Sequence, residues 1–330
     1  MSLPSWAVAV ITIGAAAILA VSIDYLISLL TRESFNPAGR NCFITGGSSG
    51  LGKALAEELV KGGADVCIVA RRTEELEKAV KEIETYKKSP TQKVMFVSAD
   101  VTSKQDMLRA FDTAEVKMGR NPDFVCCCAG ASYPKFFLDS TLDEVDHLIN
   151  LNYLGQAYAA HQAAFRMRDS KVENGKIVFV SSMLGILSFA GYATYSPTKY
   201  AIRGLADTLR NELKQYGIGV HIFFPGGIES PGFDTENLTK PEVTKAIEGA
   251  NTPQTSKECA KSLMKGLHTG NYMIMTDFIG EILRAVSRGV SPSNNFILDS
   301  ILSIIGQPIA SGYAIYMDYL VKSLNKPKTK

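Results

Sequence analysis

The sequence predicts an α/β protein in which helices cover both faces of a seven-stranded parallel sheet. Short apolar runs alternate with longer segments of helical periodicity along most of the chain, the pattern of a parallel sheet with crossover helices. Most of these runs are apolar throughout, as strands buried on both faces must be. The pattern is typical of a Rossmann-type doubly wound sheet, here with an N-terminal transmembrane helix and an apolar C-terminal extension.

Each element of this fold can be assigned from its pattern. The predicted strands are Asn41–Thr45, Val66–Ala70, Val94–Ala99, Phe124–Cys128, Ile177–Ser181, Val220–Phe224 and Tyr272–Met275. The predicted helices are Lys53–Lys61, Glu74–Tyr86, Lys104–Lys117, Leu142–Met167 and Tyr195–Gln215. We therefore expect a membrane anchor and linker over residues 1–36, the sheet domain over 37–277 and an apolar membrane-associated extension over 278–330.

The composition argues against several classes of partner. With 35 basic and 33 acidic side chains among 330 residues, the chain has no electrostatic footprint for nucleic acid. The four histidines show no metal-ligand spacing, so we expect no metal. The six cysteines form neither a disulfide framework nor a zinc pattern, and they indicate a reducing compartment.

The N-terminal segment is long and apolar enough to cross a bilayer. Trp6–Ile23 carries no charge, and the apolar character resumes after Asp24 as far as Leu30. A cleaved signal peptide remains the alternative, although it would have a basic start and a shorter apolar core. Arg32 and Arg40 follow the helix and no basic residue precedes it, which places the bulk of the chain in the cytosol by the positive-inside tendency.

Two stretches fall outside the strand–helix alternation. Gly226–Thr252 is rich in Gly, Pro, Thr and Asn, a composition expected of a mobile loop over a binding cleft. Phe278–Leu324 is largely apolar but is interrupted by charged residues. A second spanning helix is one interpretation of it, and we favour the other, apolar segments packed on the substrate mouth or lying in the membrane surface.

A glycine-rich turn joins the first strand to the first helix of the sheet domain. Thr45–Gly52 reads T-G-G-S-S-G-L-G, and glycines there allow the backbone to approach a pyrophosphate whose charge the helix N-terminus stabilises. The turn therefore predicts a dinucleotide site. Its candidate binding residues are Gly46, Ser48, Ser49, Gly50, Leu51 and Gly52.

The second strand ends in arginines where an acidic residue would bind a free ribose 2′-hydroxyl. Arg71 and Arg72 suit a 2′-phosphate instead, with Ser48 or Ser49 able to donate hydrogen bonds, which favours NADPH over NADH. The alternative is that both arginines only cap a strand in solvent. Asp100 and Val101, after the third strand, are placed to contact adenine.

A tyrosine and a lysine four residues apart form the candidate catalytic pair. Tyr195 and Lys199 lie on one face of a predicted helix, with Pro197 in its first turn. An adjacent ammonium is expected to lower the pKa of the phenol from about 10 toward the working range. Ser182 ends the fifth strand, at the edge where parallel sheets bind ligands, and its hydroxyl can hold a ketone oxygen.

Together the glycine-rich turn, Ser182 and the Tyr195–Lys199 pair resemble the short-chain dehydrogenase/reductase family, over about Asn41 to Met275. The resemblance implies hydride transfer to a carbonyl carbon while Tyr195 supplies the proton and Ser182 polarises the carbonyl. It also implies that Lys199 contacts the nicotinamide ribose and that Asn152 supports a water relay to the lysine. Further cofactor contacts implied by the family are Ala129, Gly130, Tyr195, Lys199, Pro225, Gly226 and Ile228.

One family motif is altered. Cys127-Cys128-Ala129-Gly130 stands where the family usually has Asn-Asn-Ala-Gly, which puts the side-chain hydrogen bonds near the cofactor in doubt while main-chain packing should survive. The helices Leu142–Met167 and Tyr195–Gln215 match those that pair relatives into homo-dimers or tetramers.

A finer resemblance is to the 3-ketodihydrosphingosine reductases, especially the fungal ones. Pro231-Gly232-Phe233 and Thr239-Lys240-Pro241 carry it, in the substrate-loop region where the wider family shares little sequence. It implies reduction of 3-ketosphinganine, a long-chain keto-lipid, at the cytosolic face of the endoplasmic reticulum membrane. Two alternatives remain open: a microsomal steroid or retinoid ketone reductase, and a non-catalytic NADPH-binding membrane scaffold.

Overall fold

The computed structural model describes residues 4–31, 34–249 and 252–324, and it confirms the predicted fold. The strands are β1 (Asn41–Thr45), β2 (Asp65–Ala70), β3 (Val94–Ser98), β4 (Phe124–Cys127), β5 (Gly175–Val180), β6 (Ile218–Phe224), β7 (Ile228–Glu229), β8 (Gln254–Thr255) and β9 (Met273–Met275). Seven of them form a parallel sheet in the order β3-β2-β1-β4-β5-β6-β9, and β7 pairs with β8 beside it. The strand order reverses between β1 and β4, which opens a ligand-binding crevice at their carboxyl ends.

Helices connect the strands and extend beyond the sheet at both ends of the chain. They are α1 (Ser5–Thr31), α2 (Gly50–Lys61), α3 (Thr73–Glu84), α4 (Lys104–Met118), α5 (Leu142–Leu148), α6 (Gly155–Asp169), α7 (Ser196–Glu212), α8 (Pro231–Thr239), α9 (Glu242–Glu248), α10 (Ser256–His268), α11 (Phe278–Ser287) and α12 (Phe296–Leu324). Three short 3₁₀ turns lie at Phe137–Asp139, Met183–Gly185 and Leu213–Tyr216.

Two apolar cores lie on opposite faces of the sheet. Successive residues of a strand point to opposite faces, so Phe43 of β1 packs in one core and Ile44 in the other. Phe43 stacks on Phe111 of α4, with ring centroids 4.1 Å apart. Phe35, in the linker after α1, packs against Phe124 of β4 in the second core. Burial on both faces explains why the strands are apolar throughout.

Beyond shifts of a few residues at the ends of several elements, the structure differs from the sequence prediction in two places. Gly226–Thr252, expected to be a mobile loop, contains the helices α8 and α9, with Ser230 capping the first of them. The predicted helix Leu142–Met167 is interrupted by a π-helical turn at Ile149–Leu154. Among the shifted ends, β5 begins at Gly175, before its predicted start, since the buried Lys176 has the charge expected of a residue outside a buried strand.

Two helices are long and apolar enough to cross a membrane, by length and composition alone. One is the Ser5–Ile23 part of α1, whose side chains are not buried against the rest of the chain. The other is α12, which is partly buried because it packs on α11 and α9 and also contacts α1. In α12 the Tyr313 hydroxyl donates a hydrogen bond to the carbonyl of Ile247, 2.8 Å away. The C-terminal extension is therefore joined to the substrate side of the sheet domain.

Candidate active site

The glycine-rich turn after β1 packs against the loop after β4 at the point where the strand order reverses. Gly46 has a positive φ of 66°, and a Cβ there would lie 2.9 Å from the Cα of Ala129. A Cβ on Gly52 would lie 2.4 Å from the carbonyl oxygen of Gly46. Side chains at these positions would fill the cradle, so its shape fits the pyrophosphate of a dinucleotide.

Several polar groups surround the cradle and could contact a nucleotide bound there. Ser49 precedes α2 without capping it through its side chain, so the first-turn N–H groups of α2 remain available. Arg72 pairs with Glu75 at 2.5 Å, whereas Arg71 makes no ion pair within the described ranges. Asp100 accepts hydrogen bonds from the backbone N–H and hydroxyl of Thr102 through Oδ1 alone.

Ser182 and Tyr195 meet at the carboxyl end of β5. Ser182 lies two residues beyond the strand, and its Oγ accepts a hydrogen bond from the N–H of Leu184 at 3.1 Å. Tyr195 is the residue before α7, and its hydroxyl forms a hydrogen bond with the Ser182 side chain. Lys199, one turn further, donates from Nζ to the carbonyl of Val180 at 3.1 Å. The three predicted catalytic side chains are thus brought together.

The predicted effect of Lys199 on Tyr195 is wrong for this structure. Burial, followed by the negative charge of Glu236, raises the pKa of Tyr195, and the hydrogen bond with Ser182 opposes this only in part. The reason is geometric: the Lys199 Nζ lies 5.4 Å from the centre of the Tyr195 ring and bonds to Val180 instead. Burial also lowers the pKa of Lys199 to about 8. Tyr195 is therefore held in the protonated form, which is the form that can donate a proton.

Asn152 is fully buried in the π-helical turn and clamps the loop after β4. Its Oδ1 accepts from the N–H of Ala131 at 2.9 Å, and its Nδ2 donates to the Ala131 carbonyl at 3.0 Å and to Thr198 Oγ1 at 3.1 Å. A Cβ on Gly130 would lie 3.0 Å from Asn152 Oδ1 and 3.6 Å from Lys199 Nζ. Asn152 therefore stands behind this loop and holds it against α7.

The consecutive cysteines keep the main chain of this loop in place. Cys127 is buried in the core, and its thiol lies 3.8 Å from the carbonyl of Gln156. Cys128 reaches the cavity wall, with its Sγ 3.4 Å from that of Cys126. Burial raises the pKa of both Cys126 and Cys127. Apolar burial thus replaces the hydrogen bonds that asparagines would make here.

A single cavity of about 1520 Å³ connects these parts. All the residues predicted to bind the cofactor line it: Gly46, Ser48, Ser49, Gly50, Leu51, Gly52, Arg71, Arg72, Asp100, Val101, Ala129, Gly130, Tyr195, Lys199, Pro225, Gly226 and Ile228. Ser182 lines its middle. Its far end is formed by α11 and α12 through Ile279, Ile282, Leu283, Gly306, Ile309, Ala310, Tyr313 and Tyr316.

Sequence reasoning missed the polar wall beside Tyr195. Tyr192, Glu236 and Glu248 line the cavity there, and Lys240 pairs with both carboxylates behind them. The spacing of Glu236 and Lys240, four residues apart, is a signal of a helical ion pair that could have been used. It was hidden because this segment was predicted to be a loop.

Comparison with known proteins places this geometry in a family. The family model described as short chain dehydrogenase matches residues 40–241. The chain belongs to the short-chain dehydrogenase family. It is therefore an oxidoreductase that acts with a nicotinamide dinucleotide. Among the described residues, no cluster of three or more His, Cys, Asp or Glu could hold a metal ion.

Curated members of the short-chain dehydrogenase family share most of the chain. A 3-ketodihydrosphingosine reductase of Cryptococcus neoformans is 45% identical over 282 residues, 84% of each chain. One of Aspergillus fumigatus is 35% identical, over 88% of this chain and 87% of its own. One of Dictyostelium discoideum is 33% identical, over 83% and 85%.

Solved structures show the same fold at lower sequence identity. Levodione reductase superposes with a TM-score of 0.65 and 23% identity over 73% of this chain and 96% of its own. A short-chain dehydrogenase/reductase of Mycobacterium ulcerans has a TM-score of 0.61 and 24% identity over 74% and 89%. At this identity the likeness concerns the fold alone.

Proposed function

We propose that the chain is an NADPH-dependent reductase that converts 3-ketodihydrosphingosine (3-ketosphinganine) to dihydrosphingosine (sphinganine) in sphingolipid biosynthesis. The curated relatives named for this reaction support the substrate. The observation that carries the proposal is the continuity of the cavity, which joins Ser182 and Tyr195 to an apolar end lined by α11 and α12. A ketone close to one end of a long hydrocarbon chain fits this shape.

The preference for NADPH rests on the end of β2. Arg71 is exposed there and is free to pair with a 2′-phosphate, and Ser48 and Ser49 line the same part of the cavity. Neither Ala70 nor the arginine pair offers the carboxylate that binds a free 2′-hydroxyl. A doubly charged phosphate gains charge-assisted hydrogen bonds in this position.

The chain's own residues supply the proton and position the ketone. The bound cofactor supplies a hydride to the carbonyl carbon. Tyr195, which burial keeps protonated, donates its proton to the carbonyl oxygen. Ser182 Oγ accepts a backbone N–H, and its hydroxyl would exchange the hydrogen bond with Tyr195 for one donated to the ketone oxygen. Lys199 would contact the nicotinamide ribose, and Asn152 holds the loop that carries Gly130.

The apolar end of the cavity accounts for the lipid tail and the location. Each methylene moved from water to the apolar end of the cavity contributes roughly 0.8 kcal/mol, so the contribution of the tail grows with the length that is buried. The exposed apolar side chains of α1 and α12 fit a membrane from which such a lipid can enter. We place the protein in the endoplasmic reticulum membrane, with the sheet domain on the cytosolic side.

The test is NADPH oxidation by the full-length protein in detergent, with 3-ketosphinganine as substrate and a steroid ketone and a retinoid ketone as comparisons. Wild type should form sphinganine, and Tyr195→Phe should lower kcat by about 10²–10⁴ while NADPH binding is kept. Tyr200→Phe, an exposed position on the same helix, is the matched control. Preference for a ring ketone, or NADPH binding without turnover of any ketone, would overturn the proposal.

A further inference from the structure

The cavity wall beside the catalytic tyrosine carries a cluster of four polar side chains. The hydroxyl of Tyr192 lies 2.6 Å from Glu236 Oε1 and 2.6 Å from Glu248 Oε1. Lys240 Nζ lies 3.1 Å from Glu236 Oε1 and 2.8 Å from Glu248 Oε2. The Lys240 side chain is 1% exposed, whereas both carboxylates reach the cavity.

The Tyr192 hydroxyl faces two carboxylate oxygens but has only one proton to donate. A phenol has one proton, so Tyr192 can donate to only one of the two carboxylate oxygens that stand 2.6 Å from it. Burial and the two carboxylates raise the pKa of Tyr192, so the phenol cannot resolve the conflict by ionising. If Tyr192 donates to Glu248, Glu236 Oε1 keeps only the Lys240 ammonium, 3.1 Å away, and the two carboxylates carry one negative charge in excess of Lys240.

The other two carboxylates that line the cavity have structural roles, one as a helix cap and one in the loop after β3. Asp277 Oδ1 accepts the N–H of Gly280, 2.7 Å away, as the N-cap of α11. Asp100 accepts two hydrogen bonds from Thr102 at the adenine end. Of the cavity carboxylates in the described ranges, Glu236 and Glu248 are those that share one polar cluster with Tyr192, the neighbour of Tyr195.

The cluster is close enough to the catalytic tyrosine to act on the reacting part of the substrate. The rings of Tyr192 and Tyr195 have centroids 5.9 Å apart. The charge of Glu236 also contributes to the raised pKa of Tyr195, which shows that its field reaches the proton donor. A substrate whose ketone meets Tyr195 therefore presents the atoms next to the ketone to this wall.

We infer that Glu236, with Glu248, binds the ammonium group of an amino ketone and makes this group a requirement for tight binding. This inference rests on the proposed function, because 3-ketodihydrosphingosine carries its amine on the carbon next to the ketone. The ammonium supplies the donors and the positive charge that the cluster lacks. Steroid and retinoid ketones have no such cation, so the same carboxylates discriminate against them by remaining unpaired and desolvated.

The test compares ligands that differ in the amine alone. Full-length protein with NADP⁺ is titrated with sphinganine and with octadecane-1,3-diol in the same detergent, and kcat/KM is measured for 3-ketosphinganine and its des-amino ketone. The variants are Glu236→Gln and Glu248→Gln, which keep an acceptor for Tyr192 and Lys240. Glu242→Gln is the control, because Glu242 lies on α9 with an 85% exposed side chain that pairs with Lys245 at the surface.

Wild type and Glu242→Gln should bind the amine about tenfold to a hundredfold more tightly than the diol, and Glu236→Gln should reduce this ratio about tenfold or more. Unchanged NADPH affinity shows that the variants fold. A ratio that stays at the wild-type value in both glutamine variants would overturn the inference, even where 3-ketosphinganine is reduced. Loss of the ratio in the variants, in a protein that does not reduce 3-ketosphinganine, would support the ammonium site and overturn the proposed function alone.

Discussion

Arg284 of α11 and Asp299 of α12 form a buried, bidentate ion pair. Nη1 lies 2.8 Å from Oδ2 and Nη2 lies 2.5 Å from Oδ1, and both residues are almost completely removed from solvent. Glu281 accepts from Nε of the same arginine at 2.7 Å, and the N–H of Asn294 donates to the aspartate at 3.2 Å. The pair holds together the two helices that form the apolar end of the cavity.

Replacing one residue of this ion pair should lower the free energy of unfolding much more than replacing both residues. Arg284→Met leaves a buried carboxylate and should lower the free energy of unfolding by about 3–5 kcal/mol, whereas Arg284→Met with Asp299→Leu should recover most of it. Urea unfolding of wild type, both single variants and the double variant gives the coupling energy. Additive losses would contradict this account of the pair.

Gly306 sets how closely α12 approaches α11. A Cβ there would lie 2.6 Å from Val286 Cγ2 and 2.8 Å from Ile282 Cγ2, so Gly306→Ala should separate the helices and cost about 1–3 kcal/mol. Gly312→Ala is the control on the same helix, since nothing lies within 4 Å of its Cβ, and it should be neutral or slightly stabilising. The KM for a long-chain ketone should rise in Gly306→Ala more than that for a short-chain ketone. Equal behaviour of the two alanine variants would refute the packing argument.

We expect Asn152 to affect the reaction through the loop that it holds in place. Asn152→Ala removes three hydrogen bonds of a fully buried side chain and should lower the free energy of unfolding by about 2–4 kcal/mol. It should also lower kcat more than it raises the KM for ketone, because the loop touches the Lys199 region rather than the substrate tail. Asn150→Ala, exposed on the same turn, is the control. Thermal unfolding and steady-state kinetics measure both effects, and a variant with normal kcat would exclude the positioning role.

Arg71 should decide between the two nicotinamide cofactors. Arg71→Ser removes the exposed guanidinium at the end of β2, and we expect the Kd for NADPH to rise about tenfold or more with little change for NADH. Arg168→Ser, at an exposed position on α6, controls for a general loss of positive charge. Fluorescence titration with both cofactors provides the comparison. Equal weakening of NADPH and NADH would show that Arg71 does not bind the 2′-phosphate.

Lys199 should give the stability a specific pH dependence. Burial lowers its pKa from 10.5 to about 8, so between these values the unfolded chain holds the proton more tightly than the folded chain. Raising the pH through this range should therefore raise the free energy of unfolding of wild type relative to Lys199→Met, by up to about 3 kcal/mol. Urea unfolding from pH 7 upward measures this difference, in which the other titrating groups cancel. A difference that does not change with pH would rule out a buried ammonium.

The sheet and the cofactor cradle were predictable because short-range rules determine them. Continuous apolar runs such as Val66–Ala70 can only be buried strands, and the turn at Gly46 requires glycine for steric reasons. The pKa of Tyr195 was not predictable, since it depends on where the Lys199 ammonium comes to rest after folding. The helix α8 was also missed, because its Gly- and Pro-containing start is typical of a loop until tertiary contacts stabilise it.

The π-helical turn that interrupts the long helix after β4 offers less stability than a regular helix, and it places Asn152 where its amide can bond to the loop. The π-turn accommodates one extra residue. If the same residues formed a regular α-helix through Ile149–Leu154, every residue that follows would be rotated by about 100° around the helix axis. The side chains of α6 would then face away from their present neighbours. A single-residue deletion in this turn should therefore be tolerated by the helix itself while it disconnects the cofactor loop from α7, so the extra residue of the turn serves the loop and not the helix.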